Sequence, residues 1–357
     1  MSRRTPPLHE LDARRIALIK PSALGDIVHA LPVLSALRIR FPAAEILWVV
    51  HRSYADLLDG HPDLNEVLSF DRRGQGRFGS VSELVRVMAA LRRRACDLVI
   101  DLQGLLRTGL LTWWSGAPRR VGLFSAREGS AWAYTDCLHD PQGRTLEQMH
   151  AVDRYWLVAE ALGVGQFPKR FVIPIGSEPR TWAGSRLADL PRPWFAVHLG
   201  TRWETKRWPP AHFADLCQRA CQRFGGSVIL VGSPSETPLA EEFSHQFSGP
   251  LLNLIGQTSL KQLAAVLEQA DIMLSNDSGP LHLAVALGRP VVAPFTCTSV
   301  VRTGPYGQPQ NAVATRVWCA ASYRKRCGRL ECMAELTPAR LWPVLEGHLR
   351  AWHRQSA

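Results

Sequence analysis

Short apolar runs alternate with helical stretches along most of this chain, and that rhythm leaves it little choice of architecture. It begins with Ile16-Ala17-Leu18-Ile19 and the turn Lys20-Pro21-Ser22-Ala23-Leu24-Gly25-Asp26, after which Ile27, Leu31, Leu34 and Leu37 share one helical face as far as Arg40. Pro32 should kink that helix or restrict its first turn. Further strands are expected at 45–50, 66–70 and 97–102, with helices at 54–58, 81–94 and from about 105. The pattern fades between Arg120 and Arg144, returns as a long helix at 148–162, and breaks again in the proline-rich stretch 163–193. From Trp194 it restarts, with strands at 195–199, 227–231, 251–255, 272–274 and 291–295 and helices at 210–224, 236–247 and 259–267. The expected fold is α/β: two Rossmann-like doubly wound domains, 15–175 and 194–336, facing across a cleft. Residues 176–193 read as the linker, and 337–357 as a C-terminal helix free to pack back on the first domain.

In such sheets ligands bind beyond the carboxyl ends of the strands, so the turns there carry the functional interest. Ser275-Asn276-Asp277-Ser278 follows an apolar strand, and Gly279-Pro280 opens a helix closed by Gly288. Asp277 or Ser278 suits the helix cap and Pro280 its first turn. The stretch is either an ordinary capped turn or a cup of backbone N–H groups for a phosphate. After the first strand, Asp26 is either a helix cap or a general base for a hydroxyl, and His29 one turn on reads as structural. Gly200-Thr201-Arg202-Trp203-Glu204-Thr205-Lys206-Arg207-Trp208-Pro209 gathers hydroxyls and three cations around two indoles, as a solvated loop or as donors for a diphosphate. Asp101-Leu102-Gln103-Gly104 is a loop start or a further wall of the cleft.

Charge narrows the partners. The 357 residues hold 42 Lys and Arg against 31 Asp and Glu, a net charge of +11, which favours nucleic acid, anionic lipid or phosphorylated small molecules. No apolar run reaches the ~18 residues of a membrane span, and the basic start, 1–15, reads as a loose leader rather than a secretory signal. The expected location is therefore the cytoplasm. No Asp-x-Asp triplet is present to hold a divalent ion, so no metal is expected at the chemical centre. Cys319, Cys327 and Cys332 are too widely spaced, without a fourth ligand, for a strong zinc signal, and the other five cysteines read as buried thiols.

Three of these motifs together resemble glycosyltransferase family 9, the bacterial ADP-heptose:lipopolysaccharide heptosyltransferases: Lys20–Asp26 with Ala30-Leu31-Pro32, Lys206–Pro209, and Asn276–His282. Arg302-Thr303-Gly304-Pro305-Tyr306-Gly307 is similar to a further family stretch, and Asp101–Gly104, Ser125–Glu128 and His150–Arg154 look most like the type I enzyme. The resemblance implies a GT-B fold, with an N-terminal acceptor domain and a C-terminal nucleotide-sugar domain. It also implies inverting, metal-independent transfer of heptose from ADP-heptose to a Kdo-lipid A type acceptor, with no cofactor. Carried over, Asp26 is the base, and Thr201, Lys206, Asp277, Ser278, Gly279 and His282 bind the donor. Ser22, Gln103 and Arg127 bind the acidic acceptor. The implied partners are a nucleotide-sugar, an acidic lipid-linked sugar and the anionic inner-membrane surface, with peripheral attachment, a monomeric state and no nucleic acid. Ser322 stands near where the family's cysteine cluster has a fourth member. Other readings are a family member with another nucleotide-sugar or a protein acceptor, a GT-B-like sugar-nucleotide epimerase or hydrolase, and a non-catalytic binder of lipopolysaccharide precursors. Turnover of nucleotide-sugar without acceptor would mark the epimerase or hydrolase, and donor binding without transfer would mark the binder.

Overall fold

The computed structural model describes residues 6–71 and 79–356. The chain divides into two compact units, Met1–Pro174 and Ile175–Ala357. In the first, the strands are β1 (Arg15–Ile19), β2 (Glu45–His51), β3 (Glu66–Phe70), β4 (Leu98–Asp101), β5 (Arg119–Leu123) and β6 (Asp136–Leu138). Its helices are α1 (Leu24–Arg40), α2 (Arg52–Ala55), α3 (Gly79–Arg94), α4 (Leu106–Trp114) and α5 (Ala151–Ala161). The second unit contains β7 (Trp194–His198), β8 (Ser227–Leu230), β9 (Leu251–Asn253), β10 (Ile272–Ser275), β11 (Val291–Phe295) and β12 (Ala312–Ala314). Its helices are α6 (Ser177–Leu187), α7 (Pro210–Phe224), α8 (Thr237–Ser244), α9 (Leu260–Gln269), α10 (Gly279–Ala286), α11 (Val300–Thr303), α12 (Glu331–Glu335) and α13 (Pro338–Ser356).

Each unit holds a six-stranded sheet, in the orders β3-β2-β1-β4-β5-β6 and β12-β11-β10-β7-β8-β9. The pairings are parallel throughout. Counted within its own unit, each is the same doubly wound 3-2-1-4-5-6 arrangement, with its topological switch between the first and fourth strands. Those strands, β1 and β4 in one unit and β7 and β10 in the other, are buried almost throughout, because helices cover both faces of a parallel sheet. The turns leaving them begin with Lys20, Leu102, Leu199 and Asn276. The four motifs singled out in the sequence thus fall on the two switch points.

Three stretches depart from the sequence reading. Residues 119–138, where periodicity fades, carry β5 and β6, which are short and charged. Arg119 of β5 is nevertheless buried, its guanidinium paired at 2.7 Å with Asp136 of β6. Residues 176–193, read as a linker, hold α6, whose Pro179, Ala183 and Leu187 recur every four residues on a buried face. The proline is tolerated because it sits in the first turn. Residues 1–5 of the leader lie outside the described residues, while Leu8 and Ala13 are buried and Arg119 donates to the Pro6 carbonyl. α1 continues through Pro32 to Arg40. α13 places Leu341, Trp342, Leu345 and Leu349 in the core of its own unit, with Arg219 of α7 stacked 4.0 Å above the Trp342 ring.

Candidate active site

The first unit gathers its chemistry at the β1–α1 turn. Asp26 sits in the first turn of α1 rather than at the cap itself, and its Oδ2 accepts the Ala23 N–H at 3.1 Å. Its Oδ1 accepts the Tyr155 hydroxyl at 3.2 Å and lies 3.9 Å from Lys20 Nζ. Lys20 is buried, donates to the Leu102 carbonyl at 3.2 Å, and lies 4.9 Å over the Tyr155 ring. Burial is the largest influence on Asp26 and favours the neutral acid. The charges of Lys20 and Arg154, with the Ala23 N–H and the Tyr155 hydroxyl, outweigh it and hold the carboxyl below its ordinary range. The Asp26 side chain is still 42% exposed, so an ionised oxygen reaches solvent. Such a group accepts a proton only as a hydroxyl becomes acidic during attack.

Around it, Ser22 and Gln103 are half-buried and Arg127 is exposed. The Gln103 Oε1 and the Arg154 Nε are buried without hydrogen-bond partners, unspent polarity near this turn. Asp101 is spent on the fold: it accepts N–H groups of Gln103 and Gly104 at 2.8 and 3.1 Å and the Tyr134 hydroxyl at 2.9 Å. His29 is buried and packs edge-on against His150, ring centroids 5.1 Å apart.

The second unit builds a charge cluster at its own switch point. Lys206 Nζ lies 2.6 Å from Asp277 Oδ2, which also accepts the Thr298 hydroxyl at 2.7 Å. His282 Nε2 is 3.5 Å from the other carboxylate oxygen. Burial, the largest influence on Asp277, opposes ionisation, but His282 and Lys206 hold the carboxyl far below its usual range. Asn276 fixes the strand end, accepting the Trp208 N–H at 2.9 Å and donating to the Leu199 carbonyl at 2.8 Å. Ser278 occupies the cap position of α10 but caps nothing; its hydroxyl is bonded to Ser275 Oγ at 3.0 Å and His198 Nδ1 at 3.1 Å. The first N–H groups of α10, at half-buried Gly279, therefore have no side-chain cap and keep their affinity for an anion. Thr201 is partly committed: its hydroxyl donates to the Trp203 carbonyl at 2.6 Å, leaving a ligand only a lone pair.

Sequence reading missed several contributors. Tyr155 and Lys20 gain their positions only through the fold, as do Thr298 and the His198–Glu236 contact at 3.4 Å. Gly200 and Gly232 make room for that glutamate, since a Cβ at either would collide with its carboxylate. Lys325 lies 5.3 Å over the Trp203 ring that Lys206 also approaches at 4.9 Å, a second cation on the same indole.

Cys319, Cys327 and Cys332 line one small cavity, and Cys297, read from the sequence as scattered, lines it too, with Ser322 and Thr205. All eight thiols are free, and among the described residues no three His, Cys, Asp or Glu side chains converge as metal ligands. N–H groups of Leu330 and Arg329 hold the Cys327 thiol below its ordinary value, while burial pushes Cys332 up to about 11. Limiting iodoacetamide near neutral pH should therefore label Cys327 well before Cys332 or the deeply buried Cys217. Peptide mass mapping reads the order, and equal labelling of Cys327 and Cys332 would contradict it.

Comparison with known proteins gives a consistent picture. Residues 84–333 match the family model for glycosyltransferase family 9 (heptosyltransferase). The chain is 32% identical to the lipopolysaccharide heptosyltransferase 1 of Pseudomonas aeruginosa over 88% of its own length and 87% of that protein. It is 27% identical to the Escherichia coli K12 protein of the same name, over 83% of this chain and 92% of the other. A family 9 glycosyltransferase structure from Veillonella parvula superposes with a TM-score of 0.80 at 24% identity, covering 96% and 99% of the two chains. An Escherichia coli heptosyltransferase solved with ADP gives 0.72 at 25% identity, covering 94% and 99%.

Proposed function

The chain belongs to glycosyltransferase family 9, the heptosyltransferases, and from that premise we propose that it moves heptose from ADP-heptose to a lipopolysaccharide-core acceptor by a single, metal-independent inverting displacement. The observation that carries this reading is the cation-rich second switch point, where Lys206 and the uncapped start of α10 answer the chemistry of a diphosphate. Solved relatives hold ADP and ADP-2-deoxy-2-fluoro heptose, which supports the same donor here.

The acceptor hydroxyl attacks the anomeric carbon and its proton passes to Asp26. As the new C–O bond forms, the bond from that carbon to the diphosphate breaks, and the electron pair leaves with ADP. Lys206, Lys325 and the α10 N–H groups neutralise the charge growing on the leaving group, the role a divalent ion fills in other transferases. Asp277 holds Lys206 in place, and His282 holds Asp277. The half-buried Gln103 amide and the exposed Arg127 offer a polar group and a cation to a sugar bearing hydroxyls and a carboxylate. Ser22 borders the same turn. Among the described residues no helix is long and apolar enough to cross a membrane, and we assign the work to the cytoplasmic face of the inner membrane, at its anionic surface.

Incubation with ADP-heptose and a Kdo-lipid A type acceptor should release ADP and give a product of inverted anomeric configuration by NMR. The rate should be unchanged by EDTA. Inhibition by EDTA that a divalent ion reverses would end the metal-independent reading. ADP release at full rate without acceptor would favour a hydrolase.

A further inference from the structure

α4 is amphipathic the wrong way round. Its inward face carries Thr108, Gly109, Leu111 and Thr112, and the two threonine hydroxyls are satisfied by backbone carbonyls of Leu105 and Thr108. Its outward face carries Leu106, Trp113 and Trp114, which are 43%, 49% and 45% exposed. Gly109 lets the segment 130–133 pack closely, since a Cβ there would press on Ser130 at 3.0 Å. That packing brings Trp132, 51% exposed, edge-on to Trp113 with centroids 5.7 Å apart, while Trp113 and Trp114 lie 6.1 Å apart. Three indoles in one exposed cluster form an apolar patch that the described residues of this unit leave uncovered.

Arginines lie on α4 itself and on the elements that adjoin it. The Arg92 guanidinium lies against Gly116 just past the end of α4, and Arg93 is exposed beside it on the last turn of α3. Arg107 is exposed on the first turn of α4 and Arg127 on the adjoining loop, where Glu128 is tied to the Leu106 N–H at 3.1 Å. Indoles flanked by arginines match the headgroup level of an anionic bilayer, where the rings sit in the interface and the guanidinium groups meet phosphate. The first turn of α4 also lies at the carboxyl edge of the sheet, beside the turn of Asp26, because β4 pairs directly with β1.

We propose that the outward face of α4, with Trp132, is the surface by which this protein docks on an anionic lipid bilayer. This rests on the reading above that the acceptor is lipid-linked, and it locates where that reading meets the membrane.

The test is flotation with vesicles of phosphatidylethanolamine and phosphatidylglycerol against vesicles of phosphatidylcholine alone, with neither donor nor acceptor present. Wild type should float with the anionic vesicles, its tryptophan emission moving to shorter wavelength, and added salt should weaken the binding. The double variant Trp113→Ala/Trp114→Ala should bind at least about tenfold more weakly, and Arg93→Glu should weaken binding independently. Both variants should keep wild-type transfer to a water-soluble, lipid-free saccharide acceptor, which shows that they are folded. The proposal fails if wild type stays with neither vesicle, or if the double variant floats as well as wild type. It also fails if sedimentation shows a wild-type dimer that the double variant loses, since the patch would then join copies of the chain. Absence of transfer with intact vesicle binding would instead overturn the assigned reaction and leave the docking surface standing.

Discussion

Asp26→Asn should lower the rate of heptose transfer by about a hundred- to ten-thousand-fold, the usual worth of a positioned general base, while leaving donor binding unchanged. Asparagine is the informative replacement because its carbonyl oxygen still accepts the Ala23 N–H that Asp26 Oδ2 accepts at 3.1 Å. The charge is what disappears. Lys20, buried and 3.9 Å from that carboxylate, then keeps the Leu102 carbonyl and the Tyr155 ring but no anion facing it at that position. Burial, the largest influence on Lys20, lowers its pKa, and Asp26 and Tyr155 together more than offset it; without the Asp26 charge Lys20 becomes the more easily deprotonated. The stability cost should stay near 1 kcal/mol, because the Asp26 end of the pair is 42% exposed and water screens it.

The pH dependence has a definite sign. Asp26 is depressed in the folded state, so its contribution is present above the unfolded carboxylate pKa and fades as pH falls through the lower folded value. Lys20 is raised, so its contribution is present below the unfolded amine pKa and is lost as pH rises through the folded one. The pair is fully formed between those limits, and kcat should show no acid limb from Asp26 in the ordinary carboxylate range. Single-turnover assays from mild acid to neutral pH, with calorimetry of ADP binding as the control, check both points. Undiminished turnover in Asp26→Asn would remove it from the base role.

What the sequence reveals of this fold follows burial. β1, β4, β8 and β10 are readable because strands covered on both faces are continuous apolar runs. β5 and β6 are not, because Arg119 and Asp136 meet only after the strands pair, and neither charge looks like a core residue by itself. β12, of three half-buried or exposed residues, is below the length at which any pattern shows. The candidate site divides in the same way. Asp26, Lys206 and Asp277 lie in local turns whose small and capping residues mark a strand handing over to a helix. Tyr155 lies 129 residues from its Asp26 partner, and Thr298 lies 21 from Asp277, distances that no local spacing encodes. Cys297 joins the other three cysteines only because the stretch after β12 folds back, with Tyr323 N–H bonded to the Cys297 carbonyl at 2.7 Å.

Replacing Lys206 with methionine should produce two losses that a second substitution can separate. Removing an ammonium from a diphosphate site costs about 1.5–3 kcal/mol per charge-assisted hydrogen bond, or roughly ten- to hundred-fold in affinity for ADP. The same change strands Asp277, which is 5% exposed and, among the described residues, keeps Thr298 and His282. Breaking a buried pair from one side typically costs about 3–5 kcal/mol, so melting temperature should fall sharply. Losing Lys206 also removes one of the influences that depress the Asp277 carboxyl, so its pKa rises toward the unfolded value. The depressed carboxyl contributes stability above the unfolded carboxylate pKa and loses it as pH falls through the folded value. Lys206→Met should therefore unfold at a higher pH than wild type during acid titration. The double variant Lys206→Met/Asp277→Leu leaves no orphaned charge and should recover most of the lost stability, because removing both partners is far cheaper than removing one. It should not recover ADP binding, measured by isothermal calorimetry, if Lys206 meets the diphosphate directly. Affinity restored along with stability would mean that Lys206 serves only to neutralise Asp277, and the donor phosphates would then have to be held by Lys325 and the start of α10.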